Sequence, residues 1–476
     1  MSIKEFVRKV VDKLLNREHL EGKITATIAV SGKMSDAIEF WKNLYNNEPP
    51  WAGGPDGVIP MNLPASIANE FARLITTEMK SEISGDTAFA EYLNEWYQKA
   101  IRNLRENVEY YCAKGGIALK PYISDDGILV DYTQAENFFP TSYNSNGDIT
   151  GAVFVDSKRI GKYLYTRLEH HELKGTTYTV VNKAFQSEQL FDYQDDTTIS
   201  ARYPLQNQVP LSSVPEWADL SEEPVVINNV KKTLFVYIKV PMANNIDSGS
   251  PLGASVYSRA DNFLKAADEQ FTEILHEYKV LEAAVDASKD LFKLDKKGEP
   301  ILPTGKERVF RTYDSSGMSE GAFLKEFAPQ FRDSSLFNGL NNYLQRIEFL
   351  VGLAYGTISI PNETEKTATE IKSSKQRSYS VVCDMQKAWD DGLNHLAYAM
   401  SVLTILYQKA PYGEYVLCTE WGDGVLEDSD VEYQRRWGQV VAGKLKIEKF
   451  YAWYYGISEE EALELVPEQP KTFMEE

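Results

Sequence analysis

Residues 250–285 read SPLGASVYSRADNFLKAADEQFTEILHEYKVLEAAV. Ser250-Pro251 has the form of a helix start, with serine as the N-cap and proline at the first helical position. After Gly253 neither glycine nor proline interrupts the run. The pattern predicts one helix to about Val285, roughly 50 Å long at 1.5 Å per residue. Its apolar positions Val256, Ala260, Phe263, Leu264, Ala267, Phe271, Ile274, Leu275, Tyr278 and Leu281 make one narrow seam for lateral packing. The other faces carry Asp261, Asp268, Glu269, Glu273, Glu277 and Glu282 against only Arg259, Lys265 and Lys279. A seam of that length cannot be covered by folding back on the single partner helix of roughly 22 residues available within the subunit, so neighbouring copies are expected to cover it.

Downstream, residues 286–333 break into short pieces. LFKLD, KKGEP and RVFRTY read as strands with turns at Lys297-Gly298 and Gly305. A second helix is predicted from Ser334 to Tyr355 on Leu336, Leu340, Leu344, Ile347, Leu350 and Val351. GTISIPNETEK (356–366) holds Pro361 among β-branched and turn residues and is not helical throughout. Thr367-Ala-Thr-Glu370 has the form of a capping box. It opens a long helix to about 408 on Ile371, Tyr379, Val382, Met385, Trp389, Leu393, Leu396 and Met400. The remainder, 410–476, holds a short strand at Tyr415–Trp421 and acidic helices, with a second capping box at Ser458–Glu461.

Upstream, residues 1–112 carry helical spacing: Ile3 to Leu14, Met34–Tyr45 before Pro49-Pro50, 64–83 after Pro64, and 88–113. From 115 the period changes to two. Ile117–Ile123 and Ile128–Tyr132 flank Asp125-Asp126-Gly127 as a hairpin, and Gly151–Val155, Tyr163–Glu169 and Thr177–Val181 continue an antiparallel meander. Residues 195–250 are Pro-rich, with one short strand at Thr233–Val240. The fold class is α+β, mainly helical, without an internal repeat.

The chain has 476 residues, 43% of them hydrophobic and 12% aromatic, enough for a sizeable core divided into about two to four packing units. Its net charge of −20 excludes a simple basic nucleic-acid binder and disfavours an anionic membrane surface. Cys112, Cys383 and Cys418 form no CxxC pair and read as packing residues in a reducing compartment. No secretory signal or membrane-length apolar run is present.

The motifs of P-loop, dinucleotide, HExxH, GxSxG and EF-hand chemistry are absent. Glu169-His170-His171-Glu172 is the one ligand-like cluster. On a strand only Glu169 with His171, or His170 with Glu172, share a side, too few for a closed metal site. It reads as a polar strand end at a surface or subunit contact. Asp125-Asp126 and Asp390-Asp391 lack a complementary base or nucleophile. His395 reads as a core histidine. Lys366, Lys372, Lys375 and Arg377 form the one basic cluster, diluted by Glu363, Glu365 and Glu370; a solvated helix start and a contact with a polyanion both fit it. No cofactor, metal or catalytic residue is expected.

The order of elements resembles the portal (head-to-tail connector) proteins of tailed bacteriophages, in particular those of phages of Gram-positive bacteria. The likeness covers nearly the whole chain. It rests on MSDAIEFWKNLYNNEPPW (34–51), YTRLEHHE (165–172), SPLGASVYSRADN (250–262) and SIPNETEKTATEIKSSKQRSYS (359–380). The resemblance implies a wing (1–250, its sheet at 115–240), stem helices at 251–285 and 334–356 and a clip at 286–333. It further implies a tunnel loop at 357–366, a wing helix at 367–409 and a crown at 410–476.

It also implies a ring, usually of twelve copies, at one capsid vertex of the virion, made in the host cytoplasm. Such a ring conducts double-stranded DNA non-specifically inward and, at genome ejection, outward. The implied partners are the large terminase subunit, head-completion or adaptor proteins, and the major capsid and scaffold proteins, with no membrane. On the same resemblance Ser359, Ile360, Pro361, Asn362, Glu363, Thr364, Glu365 and Lys366 line the channel, and Lys372 and Lys375 touch DNA. Lys296, Lys297, Glu299, Lys306 and Arg308 meet the motor or adaptors. Two rivals remain: an acidic capsid-associated scaffold without a channel, and a hydrolase with an unrecognised carboxylate site.

Overall fold

The computed structural model describes residues 23, 28–53, 57–188, 205–280, 284–288, 310–313, 324–327, 333–361, 368–422, 429–442, 444–455 and 458–465. The fold is mixed, with α and β segregated along much of the chain, as the α+β class requires. The chain divides into two units, Met1–Trp421 and Gly422–Glu476.

The expected helix at Ile3–Leu14 lies outside the described residues, and from Gly32 onward the described chain forms α1 (Gly32–Tyr45), α2 (Leu63–Thr76), α3 (Ala88–Ile101) and α4 (Leu104–Lys114). The expected helix over 64–83 ends early, and Lys80–Ser84 is instead strand β1, because its alternating buried and exposed residues suit a sheet. The expected single helix over 88–113 breaks at Arg102-Asn103 into α3 and α4. Met34, Ile38, Trp41 and Leu44 are the buried stripe of α1; Ile67, Phe71 and Ile75 that of α2.

Two sheets occupy 115–240 in place of the single meander expected there, and a third joins β1 to a distant strand. β2 (Gly116–Ile123) pairs antiparallel with β3 (Ile128–Gln134) and with β10 (Val236–Lys239). β4 (Phe138–Tyr143), β5 (Ile149–Ile160), β6 (Tyr163–Lys174), β7 (Thr177–Glu188) and β8 (Asn207–Val209) form a meander, and β9 (Val225–Asn228) adds to β7. β1 pairs with β14 (Val416–Glu420). That pairing places the start of the segment expected as crown in the larger unit, so the division falls after Trp421 rather than at 410.

The segment 251–260 is not helical. Pro251–Ser258 runs buried through the core as turns and extended chain. Val256 N donates to Cys112 O at 3.1 Å, and the Tyr257 hydroxyl donates to Trp41 O at 2.9 Å. The backbone at Gly253 lies so close to Gly115 that a Cβ there would collide with it, a contact that only glycine permits. Helix α5 therefore spans Asp261–Val280, about 30 Å rather than 50 Å.

Its partner α6 (Asp333–Val351) is nearly the same length and runs antiparallel to it. The Arg346 guanidinium lies over Phe263, and Gln270 lies beside Gly339. Leu264, Ala267 and Ile274 of α5 and Leu340, Leu344 and Ile347 of α6 are all buried. Much of the expected seam is thus covered within one chain, while Tyr278 near its end stays 51% exposed. Between the two helices the chain forms a small sheet in which β11 (Ala284–Ser288) lies parallel to β12 (Phe310–Tyr313) and antiparallel to β13 (Leu324–Phe327).

Helix α7 (Ala368–Leu406) is 39 residues long. Its C-terminal half drives Met385, Trp389, Leu393, Leu396 and Met400 into the core, where the Trp389 ring meets Tyr111 edge-on at 5.3 Å. The smaller unit contains α8 (Ser429–Val441), α9 (Ile447–Tyr455) and α10 (Glu459–Glu464). Phe450 is its aromatic centre, and Ser458 and Glu461 close the expected capping box.

Candidate functional site: the turn from α6 to α7 and two buried carboxylates

Helix α6 ends where Gly352 turns left-handed at φ +88°, with the Gly352 and Leu353 amides both donating to Glu348 O. A Cβ at Gly352 would press on Val381 of α7 at 2.9 Å, so glycine serves both the turn and the close approach. The chain then folds back over α6. Glu348 is fully buried. Its Oε1 accepts from Ile358 N at 2.7 Å and Ser359 N at 3.0 Å. Its Oε2 accepts from the Ser359 hydroxyl at 2.8 Å and Gly356 N at 3.2 Å.

Two turns earlier on α6, Asn341 pins the next residue. Its Oδ1 accepts from Ile360 N at 2.7 Å, and its Nδ2 donates to Ile360 O at 3.2 Å. The side chains of Glu348 and Asn341 thus replace the strand partner that the segment lacks. No described cation pairs with Glu348; three backbone amides and the Ser359 hydroxyl donate to it, much as in an anion-binding nest.

Of the channel residues that the resemblance implies, Ser359, Ile360 and Pro361 lie in this pinned segment. Ser359 is buried and Ile360 is 65% exposed. Asn362, Glu363, Thr364, Glu365 and Lys366 lie outside the described residues, as does Thr367 of the expected capping box. Lys372 and Lys375 fall on α7. The clip positions Lys296, Lys297, Glu299, Lys306 and Arg308 also lie outside the described residues.

Beside the pinned segment is a cleft of about 440 Å³ whose lining includes Asn342, Gln345, Arg346, Phe349, Tyr355 and Pro361. Arg377 of α7 closes on it. Its guanidinium lies 3.9 Å from the Phe349 ring centre and donates to Phe349 O at 2.6 Å.

The acidic faces expected on the first stem helix are only partly exposed. Asp268 is buried and accepts from Trp51 Nε1 at 2.9 Å and Met61 N at 2.8 Å, which ties α5 to the loop after α1. Burial with no partner at Oδ1 pushes the Asp261 carboxyl up to about 7.

The second buried carboxylate is Glu169 on β6. The cluster expected at a polar strand end instead turns one side inward, toward β2 of the three-stranded sheet. Glu169 Oε2 meets Lys120 Nζ at 2.5 Å and Arg167 at 3.3 Å, and its Oε1 meets His171 Nε2 at 2.8 Å. His171 Nδ1 lies 2.7 Å from the Tyr178 hydroxyl. Burial opposes the charged form of Glu169, but Lys120, His171 and Arg167 together outweigh it and hold its carboxyl well below the ordinary range.

Burial pushes the His171 imidazole down despite the pull of Glu169. The imidazole is therefore neutral near pH 7, and the network is satisfied when the Tyr178 hydroxyl donates to Nδ1 and Nε2–H donates to Glu169. His170, on the opposite side, reaches Thr141 Oγ1 at 3.3 Å. This salt-bridged carboxylate ties β6 to β2 and so holds two sheets together. Among the described residues no group of three or more metal-ligating side chains comes together, and no helix is long and apolar enough to cross a membrane.

His395, expected in the core, is half-buried and donates its Nε2–H to Thr233 O at 2.9 Å. Cys112 is buried, but Cys418 is exposed on β14 and is not a packing residue. The Glu348 anchor was legible only indirectly, as a Glu within the α6 stripe followed by Gly352 and Gly356.

No protein-family model matches this chain, and no curated protein matches it.

Proposed function

We propose that this chain is a phage portal protein, a non-enzymatic subunit of a ring-shaped DNA channel at one capsid vertex. In this reading residues 1–250 and the core half of α7 form the wing, and α5 and α6 form the stem. The small sheet β11–β13 belongs to the clip that docks the terminase motor and later the neck adaptors. The energy for DNA movement comes from ATP hydrolysed by the motor. The observation that carries the reading is the α5–α6 pair. It is joined at one end by a small sheet and leads at the other, through a pinned turn, into a helix about 58 Å long.

The charge of −20 suits a wall along which DNA slides, because repulsion between like charges is screened beyond roughly 8 Å at physiological salt. The pinned residues Ile358, Ser359 and Ile360 supply a fixed start for the segment read as the tunnel loop. Negative-stain microscopy of the purified protein tests the reading. Rings with a central hole are expected; compact single particles that turn over a substrate, or shells and filaments without a hole, would reject it. Replacing Pro361–Glu365 by a Gly/Ser linker is expected to leave rings assembled and to impair DNA packaging or retention.

A further inference from the structure

The α5–α6 pair presents two unlike faces. The exposed row on α5 runs Lys265, Glu269, Glu273 and His276. Lys265 reaches Glu269 at 3.5 Å, and Glu273 has no cation partner among the described residues. The exposed row on α6 runs Asn338, Asn342, Arg346 and Phe349 and contains no carboxylate. Arg346 lies over the Phe263 and Phe349 rings at 5.8 and 5.1 Å. Neither it nor Arg377 has a carboxylate partner among the described residues. The cleft therefore combines an unpaired guanidinium, amide groups and an aromatic floor that is 38% exposed at Phe349 and 48% at Tyr355.

We propose that this cleft receives the acidic row of α5 from a second copy of the chain, with Glu269 and Glu273 meeting Arg346. The proposal rests on the ring reading above and names the two surfaces that meet. A ring needs two different, complementary faces on each subunit, one for each neighbour. Here one helix of the pair supplies the carboxylates and the other supplies the guanidinium fork that recognises them. A nucleic acid fits less well. Two arginines on a chain of net charge −20 do not hold a polyphosphate backbone, and the cleft floor is apolar.

The register within the pair adds a geometric consequence. Arg346 stands level with Phe263 of its own chain, six residues before Glu269 and ten before Glu273. Bringing those residues opposite Arg346 of the next copy slides the helices by about 9–15 Å along their axes. Across a repeat two helices wide, roughly 20 Å, the slide corresponds to a pair leaning by roughly 25–35° from the symmetry axis.

Charge reversal in the full chain tests the contact, with assembly read by native mass spectrometry and sedimentation velocity. Arg346→Glu is expected to raise the protein concentration needed for assembly at least tenfold, and Glu269→Arg with Glu273→Arg to do the same. Combining all three is expected to restore most of the loss. The contact is overturned by an Arg346→Glu chain that assembles like the wild type, or by a loss that reversing α5 does not relieve. It is also overturned if Arg346→Glu leaves assembly intact but abolishes salt-sensitive retention of duplex DNA, which would assign the cleft to nucleic acid.

Should Arg346→Glu fail to fold, a cycle of Arg346→Ala and Glu273→Ala replaces it, with non-additive losses supporting the contact and additive losses overturning it. A wild type that never associates removes the ring reading itself. An assembling wild type with indifferent variants removes only this contact.

Discussion

Glu169 and Glu348 are both carboxylates withdrawn from water, and the chain meets their charge in different ways. Glu169 is surrounded by side chains from two sheets, Lys120 on β2 and Arg167 and His171 on β6. Glu348 is surrounded by the backbone of one short segment. The first arrangement fixes how two layers sit against each other, because each partner charge would be costly if left alone. The second fixes the path of a loop, because amide donors face one acceptor only in one conformation. A body that must keep its shape has the first, and a segment that must start from a defined place has the second.

The largest effect is expected at Glu169. Glu169→Ala removes the nearest counter-charge of buried Lys120 and half-buried Arg167, leaving them only Asp131 and Asp156 at 3.7 Å, and should cost about 3–5 kcal/mol in denaturant unfolding. Its pH dependence follows from the signs. The Glu169 carboxyl is depressed in the folded state, so its contribution is present above the unfolded value and is lost as pH falls through the folded one. His171 is also depressed; the unfolded chain binds its proton first, and stability falls as pH drops below about 6.5. Both make the wild type weaken in acid, and Glu169→Gln should flatten the part of the curve below about pH 4. An unchanged acid limb would remove Glu169 from this account.

Glu348→Ala comes next. It deprives three amides and one hydroxyl of their acceptor and should cost roughly 2–4 kcal/mol. Hydrogen exchange should show faster exchange at Gly356, Ile358 and Ser359 while α7 beyond Met385 stays protected. Equal acceleration across both regions would mean that the loop and the body are one unit.

A smaller effect of opposite sign is expected at Asp261, whose carboxyl rises to about 7 with burial. A raised acid costs stability as pH climbs from its unfolded value near 4 through its folded one. Asp261→Asn should therefore stabilise the chain by about 1–3 kcal/mol at pH 8 and much less at pH 4, read as a shift in Tm at the two values. The smallest effect belongs to Gly352→Ala, about 1–2 kcal/mol from a left-handed backbone and contact with Val381, which should localise to the α6–α7 turn.

The sequence showed some elements clearly. The stripes of α1, α6 and α7 and the hairpin of β2 and β3 follow from period alone, because one face of each is buried. Ser250-Pro251 misled for a physical reason: a cap-and-proline pair opens a helix only if the next turn is free to form, and Gly253 is committed to Gly115. Strand alternation put Glu169 and His171 on one side but not which side faced the second sheet, since that depends on Lys120, 49 residues earlier. Glu348 and Arg346 are two residues apart on one helix, and only the fold separates a buried anchor from an exposed cation. The late start of α5, at Asp261 rather than Pro251, is the most consequential difference. It shortens the apolar seam, so in the proposed ring charge and aromatic contact between unlike faces would join the copies.

The central claim is that identical copies of this chain close into a ring. Native mass spectrometry of the full-length protein over a wide concentration range, at low and moderate salt, addresses it most directly. The account predicts a discrete closed oligomer whose subunit number stays fixed as concentration changes. A folded single chain at every concentration and salt would contradict it.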